Sequence, residues 1–141
     1  MKESNSILAG RLVTGAVKLT RWLRAADPAP QLSGPQASAM AIIVHAKRIR
    51  PSELADLEEV RRPTAARTIG QLSSMKLISR VADPSDARSA FLVATKKGVA
   101  LFDLGQRRRI KPLANALSKI SPDENRTLKH AAAILERLLP Q

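Results

Sequence analysis

The sequence predicts a mostly α fold with a small β component, an α+β chain in which helices carry the core and one hairpin interrupts them. Three observations predict it. Apolar residues recur at helical spacing through six stretches. Proline and glycine punctuate the chain between them. One stretch alone, "VADPSDARSAFLV" from Val81 to Val93, has a turn-like middle (Asp83-Pro84-Ser85-Asp86) between strand-like flanks, Ile78 to Val81 before it and Phe91 to Val93 after it. The chain has 141 residues, enough for one domain with a real core.

The first helical stretch runs from about Ser4 to Arg24, with Leu8, Leu12, Ala16, Leu19 and Leu23 on one face. "ADPAPQ" ends it. Ser33 is positioned to cap the next helix, with Pro35 in its first turn. From Ala37 to Ala46 that helix is apolar nearly all round, so it belongs at the centre of the core. A short basic link, "KRIR", follows. Pro51-Ser52-Glu53 opens a short helix carrying Leu54, Ala55 and Leu57, and a turn at Glu58 to Arg61 leads into a helix from about Arg62 to Lys76. After the hairpin, Thr95 starts a long helix with Val99, Phe102, Leu104, Ile110, Leu113 and Leu117. "SPDE" opens the last one: Ser121 caps, Pro122 takes the first helical position and Glu124 completes a capping box. Leu128, Ala132, Leu135 and Leu139 form its apolar stripe.

Charge narrows the function. Lys and Arg total 24 against 12 Asp and Glu, a formal net charge of +12. A surplus of this size points to a polyanion: DNA, RNA or anionic lipid. The competing reading is a merely soluble, basic surface. Trp22, Phe91 and Phe102 are the only aromatics besides histidine. Modules that stack single-stranded bases on aromatic platforms are therefore disfavoured, and duplex DNA becomes the expected partner. The absence of cysteine excludes disulfides, a thiolate nucleophile, thiol-oxidation sensing and cysteine-bound zinc. No apolar run reaches the length of a membrane span and the N-terminus lacks signal-peptide shape, so the expectation is a cytoplasmic protein with no membrane partner. His45 and His130 are the only histidines, with no metal-ligand spacing around them, and no glycine-rich phosphate loop exists. Catalysis, a metal and a cofactor are not expected.

Two short helices joined by a tight turn, then a hairpin, is the order of a winged helix-turn-helix. The helix after the turn has two different faces. Ala65, Ile69 and Leu72 share an apolar one that suits the core; Pro63, Arg67, Gly70 and Ser74 lie opposite, small or polar. A helix enters a major groove only if its exposed face is slim enough to approach the bases. From Val60 to Ala82 five residues are basic (Arg61, Arg62, Arg67, Lys76, Arg80) and none is acidic. A hairpin after such a helix suits the neighbouring minor groove, whose negative potential favours an arginine such as Arg88. Asp86 fits there if it orients a nearby arginine by a charge-assisted hydrogen bond and shapes the turn.

The order "PSELA", "RPTAARTIGQL", "KLISR", "ADPSDAR", "TKKG" and "LSKISPDE" resembles the multiple-antibiotic-resistance regulator (MarR) family of bacterial transcription factors over nearly the whole chain. The paired signals are Asp86-x-Arg88 in the wing and Pro63-Thr64-x-x-Arg67 in the recognition helix. The resemblance implies a winged helix-turn-helix with long N- and C-terminal dimerisation helices. It implies that Arg67 and its neighbours enter the major groove, that Arg88 reaches the minor groove, and that Asp86 holds the wing. It implies a homodimer through the first and last helices, with Leu8, Leu12, Leu128 and Leu135 in the seam. It also implies that small, often aromatic or anionic, effectors bind between the dimer helices and the DNA-reading lobe. Trp22, Met40 and His45 are candidates to line that cavity, although a core role is the commoner one for such residues. Where many family members have a small polar cap the chain has Arg61, where many have a turn glycine it has Glu59, and Ala66 and Ala87 replace a common hydroxyl and a common second wing arginine.

These readings divide the chain into an N-terminal dimerisation helix (1–32), a DNA-binding lobe (33–98) and C-terminal dimerisation helices (99–141) within one intertwined domain. The expected function is a ligand-responsive repressor that acts as a homodimer on a pseudo-palindromic operator in double-stranded DNA. Arg62, Thr64, Arg67, Gln71, Arg80, Asp86 and Arg88 are the expected DNA-binding residues. The rival is a sequence-indifferent architectural DNA- or RNA-binding protein, which shares the charge but shows little difference between sequences.

Overall fold

Each helix start is written into local chemistry that the structure, a computed structural model describing residues 4–26 and 31–139, places in order. Helix α1 (Asn5–Ala25) begins at Ser4, whose side chain accepts from the Ser6 amide. The break expected over "ADPAPQ" lies mostly outside the described residues, but α1 does end at Ala25. Helix α2 (Gly34–Ala46) opens with a reciprocal capping box: the Ser33 hydroxyl accepts from the Gln36 amide and the Gln36 side chain accepts from the Ser33 amide at 2.9 Å. Helices α3 (Pro51–Leu57) and α4 (Arg62–Ser74) each carry proline in the first turn. Strands β1 (Ile78–Asp83) and β2 (Asp86–Ala94) form an antiparallel pair. Helix α5 (Lys96–Leu117) follows, then α6 (Pro122–Leu138), capped by Ser121 and Glu124 as the sequence predicts.

The hairpin is longer than its strand-like flanks suggest. Pairing runs from Ile78 opposite Ala94 to Asp83 opposite Asp86, with a register shift at Ala82 and Asp83. Only Pro84 and Ser85 turn. Pairing can reach so close to the turn because the Asp83 carboxylate accepts from the Ser85 amide (2.9 Å) and hydroxyl (2.7 Å), closing it with side-chain bonds. The basic link before α3 is also more than a link. Ile49 exchanges backbone hydrogen bonds with Leu92 (3.2 and 2.8 Å), a one-residue third strand beside β2.

The chain forms two compact units, one of residues 28–107 and one of residues 1–27 with 108–141. The first contains all of the segment 33–98 expected to read DNA, together with the first half of α5. Its core joins Met40 and Ile43 of α2, Leu54 of α3, Ile69 and Leu72 of α4, then Leu77, Leu92 and Phe102. As expected of an all-round apolar helix, α2 supplies Ala39, Met40 and Ile43 to that centre. Leu57, by contrast, points outward and is 57% exposed.

Both helices of the helix-turn-helix end in Schellman motifs. After α3, the Val60 amide donates to Ala55 O and the Glu59 amide to Asp56 O; after α4, Leu77 donates to Leu72 O and Lys76 to Ser73 O. Such motifs need a left-handed residue, usually glycine. Here Glu59 (φ 53°) and Lys76 (φ 59°) fill those places. Glu59→Gly should therefore stabilise the fold by about 0.5–1 kcal/mol, the relief of a left-handed side chain less glycine's own entropy cost. Thermal unfolding at fixed protein concentration checks this; a lower melting temperature would mean that the glutamate makes a compensating contact.

Candidate nucleic-acid interface

Helix α4 is positioned by its apolar face. Ala65, Ile69 and Leu72 are buried, with Leu72 fully so. Full burial of side chains the size of Ile69 and Leu72 is worth roughly 1.5–3 kcal/mol each, which sets the helix's rotation about its axis. That rotation turns Pro63, Arg67, Gly70 and Ser74 outward, all exposed, as the helical period predicts. The Ser74 and Thr68 hydroxyls fold back onto the carbonyls of Gly70 (2.9 Å) and Thr64 (3.4 Å), so the outward face stays slim. A Cβ added at Gly70 would meet nothing within 4 Å, so open space lies outside this helix.

The predicted DNA contacts lie on one lobe. Arg62, Thr64, Arg67 and Gln71 are exposed on α4, Arg80 on β1, and Asp86 and Arg88 at the start of β2. Among the described residues no carboxylate pairs with Arg62, Arg67, Arg80 or Arg88, so their charges are open to an outside anion. No side chain caps α4 at Arg61, which leaves the positive end of that helix open as well. Gln71 is held: its Oε1 accepts from Gln36 Nε2 at 3.2 Å, and Gln36 is itself tied into the α2 capping box. With its oxygen so engaged, exposed Gln71 keeps its NH2 as a donor.

At the wing the expected carboxylate–arginine contact is made by a different pair. Asp86 does not bind an arginine side chain; its Oδ1 accepts from the Arg88 backbone amide at 2.9 Å. That bond shapes the strand start and leaves the Arg88 guanidinium unpaired. The arginine clamped by a carboxylate is Arg50, whose Nη2 donates to Asp83 Oδ2 at 2.5 Å. The Asp83 side chain is 2% exposed, and Arg50 also lies over the Phe91 ring, 4.9 Å from its centroid. Sequence reasoning missed both residues, because Asp83 reads as an ordinary turn former and Arg50 as part of a basic link.

The Ser85 hydroxyl, the Ser85 amide and then Arg50 hold the Asp83 carboxyl down at about 2, against a burial penalty that would raise it. A depressed carboxylate contributes stability that is complete above its unfolded value near 4 and is lost as pH falls through about 2. Amide exchange in residues 85–88 should accordingly quicken between about pH 4 and pH 2 relative to the core of α2. Protection that stays level across that window would show that the turn does not depend on the charge.

The proposed effector residues fare differently. Met40 is fully buried within the core of the 28–107 unit, so it packs rather than faces a ligand; tight apolar burial next to Ile43 and Leu72 explains its type. His45 is exposed, with its Nδ1 at 2.6 Å from Ala41 O and its ring edge-on to Phe102. Trp22 is 45% exposed on α1. A shallow concavity of about 430 Å³ at the α5–α6 turn, lined by Leu117, Ile120, Asn125, Arg126 and Lys129 among others, contains none of the three. Among the described residues no cluster of three or more His, Asp or Glu could hold a metal, and no helix is long and apolar enough to cross a membrane.

Comparison with known proteins agrees with this geometry. A model of the MarR family matches residues 32–90, which span α2 to the first half of β2. An uncharacterised HTH-type transcriptional regulator of Mycobacterium bovis is 29% identical over 141 residues, all of this chain and 99% of the relative. The crystal structure of wild-type MarR from E. coli in its apo form is similar with a TM-score of 0.77 and 25% identity, over 93% of this chain and 96% of that one. A mutant of S. aureus MepR bound to an oligodeoxyribonucleotide shares the fold, with a TM-score of 0.67 and 17% identity over 97% of this chain and 100% of that one.

Proposed function

We propose that the chain, whose residues 32–90 match a model of the MarR family, is a sequence-specific, DNA-binding transcriptional regulator. In this reading it is a homodimer that represses from a pseudo-palindromic operator and responds to a small-molecule effector. The observation that carries the DNA-binding part is the face of α4: slim, exposed, basic and free of acids, and locked in rotation by Ala65, Ile69 and Leu72.

The mechanism follows from that placement. The N-terminal half of α4 enters the major groove, with Thr64 and Arg67 at base edges and backbone. Arg62, Lys76 and Arg80 neutralise phosphates, and the uncapped α4 N-terminus adds its own positive end. Gln71, with its oxygen held by Gln36, offers donors to acceptors such as guanine O6 and N7 or a phosphate. Arg88 lies in the adjacent minor groove. Dimerisation through α1 and α6 is supported by their state in the single chain, where neither helix has a buried residue. Leu8, Leu12 and Leu128 are each 45–49% exposed and Leu135 is 37% exposed. A second copy places two α4 helices on half-sites about one helical turn apart, near 10 base pairs.

The test is fluorescence anisotropy with duplex from the protein's own upstream region and a scrambled duplex, each over a range of salt. A gap of about a thousandfold supports the regulator. Equal affinities with one steep salt slope would replace it with sequence-indifferent binding. On a preferred site, Arg88→Ala should cost on the order of 1–3 kcal/mol, most where the wing's flank is A·T-rich and its minor groove narrow. An equal loss on G·C-rich flanks would remove groove-width readout from the account.

A further inference from the structure

We propose that Arg50 and Asp83 are positioning residues, a latch that fastens the wing to the first helix of the helix-turn-helix and so sets where Arg88 is presented to DNA. This rests on the DNA-binding reading above. Asp83 uses its two oxygens for two different elements. Oδ1 accepts from the Ser85 amide and hydroxyl and shapes the wing turn, while Oδ2 accepts from Arg50. Arg50 is the residue immediately before α3, and its own amide is fixed by Glu53 Oε2 at 2.8 Å. The preceding residue, Ile49, is bonded in both directions to Leu92. The guanidinium thus starts beside β2, crosses the face of Phe91 and ends on the far strand at the turn.

The arrangement is strong where a simple hairpin is weak. A two-stranded hairpin is marginal alone, and its tip frays first. Here the tip is tied to a helix start by a charge-assisted bond to a carboxylate that water scarcely reaches. Arg88 begins three residues beyond Ser85, with its amide held by Asp86. Releasing Asp83 Oδ2 frees the turn that fixes the direction of that segment. Arg48 supplies a matched comparison: its guanidinium also lies 4.9 Å from the Phe91 centroid, yet among the described residues no carboxylate clamps it.

The charge of Asp83 gives the test its sign. Asp83→Asn keeps an oxygen for Ser85 but loses the anion that Arg50 binds. Removing a negative charge near DNA should tighten binding if only electrostatics operates. The latch requires the opposite: about tenfold weaker binding of the upstream duplex, with Arg88→Ala then costing less than about twofold in the Asp83→Asn background. Arg50→Gln, measured alongside it, should reproduce that loss of coupling, whereas Arg48→Ala should leave the cost of Arg88→Ala unchanged. In the free protein, amide exchange over residues 85–88 should quicken in both latch variants while α2 stays protected.

Wild-type or tighter DNA binding by Asp83→Asn, an unchanged cost of Arg88→Ala, or unchanged exchange at the tip would each overturn the latch. If Asp83→Asn does not fold, the same measurements on Arg50→Gln decide. Equal binding of the upstream and scrambled duplexes removes the specific regulator but leaves the cycle readable on either duplex. Failure to bind any duplex overturns both readings.

Discussion

Replacing Gly98 by alanine should destabilise the protein by about 3 kcal/mol, although alanine is the better helix former. Gly98 lies in the first turn of α5, and a Cβ there would sit 2.0 Å from the carbonyl oxygen of Leu77, 2.9 Å from its carbon and 3.1 Å from Met40 Cε. The oxygen is backbone and cannot swing away. It accepts from the Thr95 amide at 2.9 Å, beside bonds from Thr95 Oγ1 to Lys76 O (2.8 Å) and from Lys97 Nζ to Met75 O (3.0 Å). These bonds join the end of the recognition helix to the start of α5. The added methyl must therefore push these backbones away from each other or crowd a buried methionine. Helix propensity offers alanine at most about 1 kcal/mol in return, so the clash wins. Gly70→Ala is the matched control. Nothing lies near its Cβ, so it should stabilise the helix by roughly 0.5–1 kcal/mol while thickening the face proposed to approach the bases. Urea midpoints at one protein concentration separate the two. Equal midpoints for Gly98→Ala and wild type would mean that α5 shifts freely at this contact.

What the sequence makes legible follows the range of the interactions. The two faces of α4 are legible because a 3.6-residue period places Ala65, Ile69 and Leu72 together whatever surrounds them. Ser33 with Gln36 and Ser121 with Glu124 are legible because a cap spans three residues. The latch is not, because Arg50 and Asp83 are 33 residues apart and 24 lysines and arginines compete for any carboxylate. Asp86 attracts the arginine in a sequence reading, since spacing alone cannot say which of two wing carboxylates reaches one. Ile49 escapes notice as a strand because a single bridged residue has no period. Met40 looks available to a ligand only because an apolar side chain carries no mark of which apolar neighbours it meets.

The left-handed residues Glu59 and Lys76 have the same local origin. Both Schellman positions favour glycine, and both hold charged side chains at a cost of the order of 1 kcal/mol. The Lys76 side chain adds a cation within the basic, acid-free stretch proposed to meet DNA. Glu59 adds none, so it is the position where local strain has no evident return, and the better place to recover stability without touching the proposed interface.

Leu135→Asp should turn the proposed dimer into a monomer, with light scattering reading a mass near 15.3 kDa in place of twice that. The single chain leaves long apolar stripes uncovered. Helices α1 and α6 bury nothing, yet Ile7, Leu8, Leu12, Val13, Val17, Leu128, Leu135 and Leu138 are all 37–70% exposed. Covering the remaining half of one such leucine is worth on the order of 1 kcal/mol, and two-fold symmetry counts each contact twice. An aspartate at Leu135 forfeits that gain and adds an unpaired charge to an apolar seam, a penalty of several kcal/mol on each side. Arg137 lies on the opposite side of α6 from the Leu128–Leu135 stripe, so Arg137→Asp changes the charge more and should leave the mass alone. Loss of the dimer also uncouples the two recognition helices. A monomer engages one half-site without the second tethered beside it, so affinity for the full site should fall by a factor of about 100 or more. A dimer of unchanged mass would move the seam away from α6. A monomer that still binds the full site at wild-type strength would separate DNA recognition from dimerisation altogether.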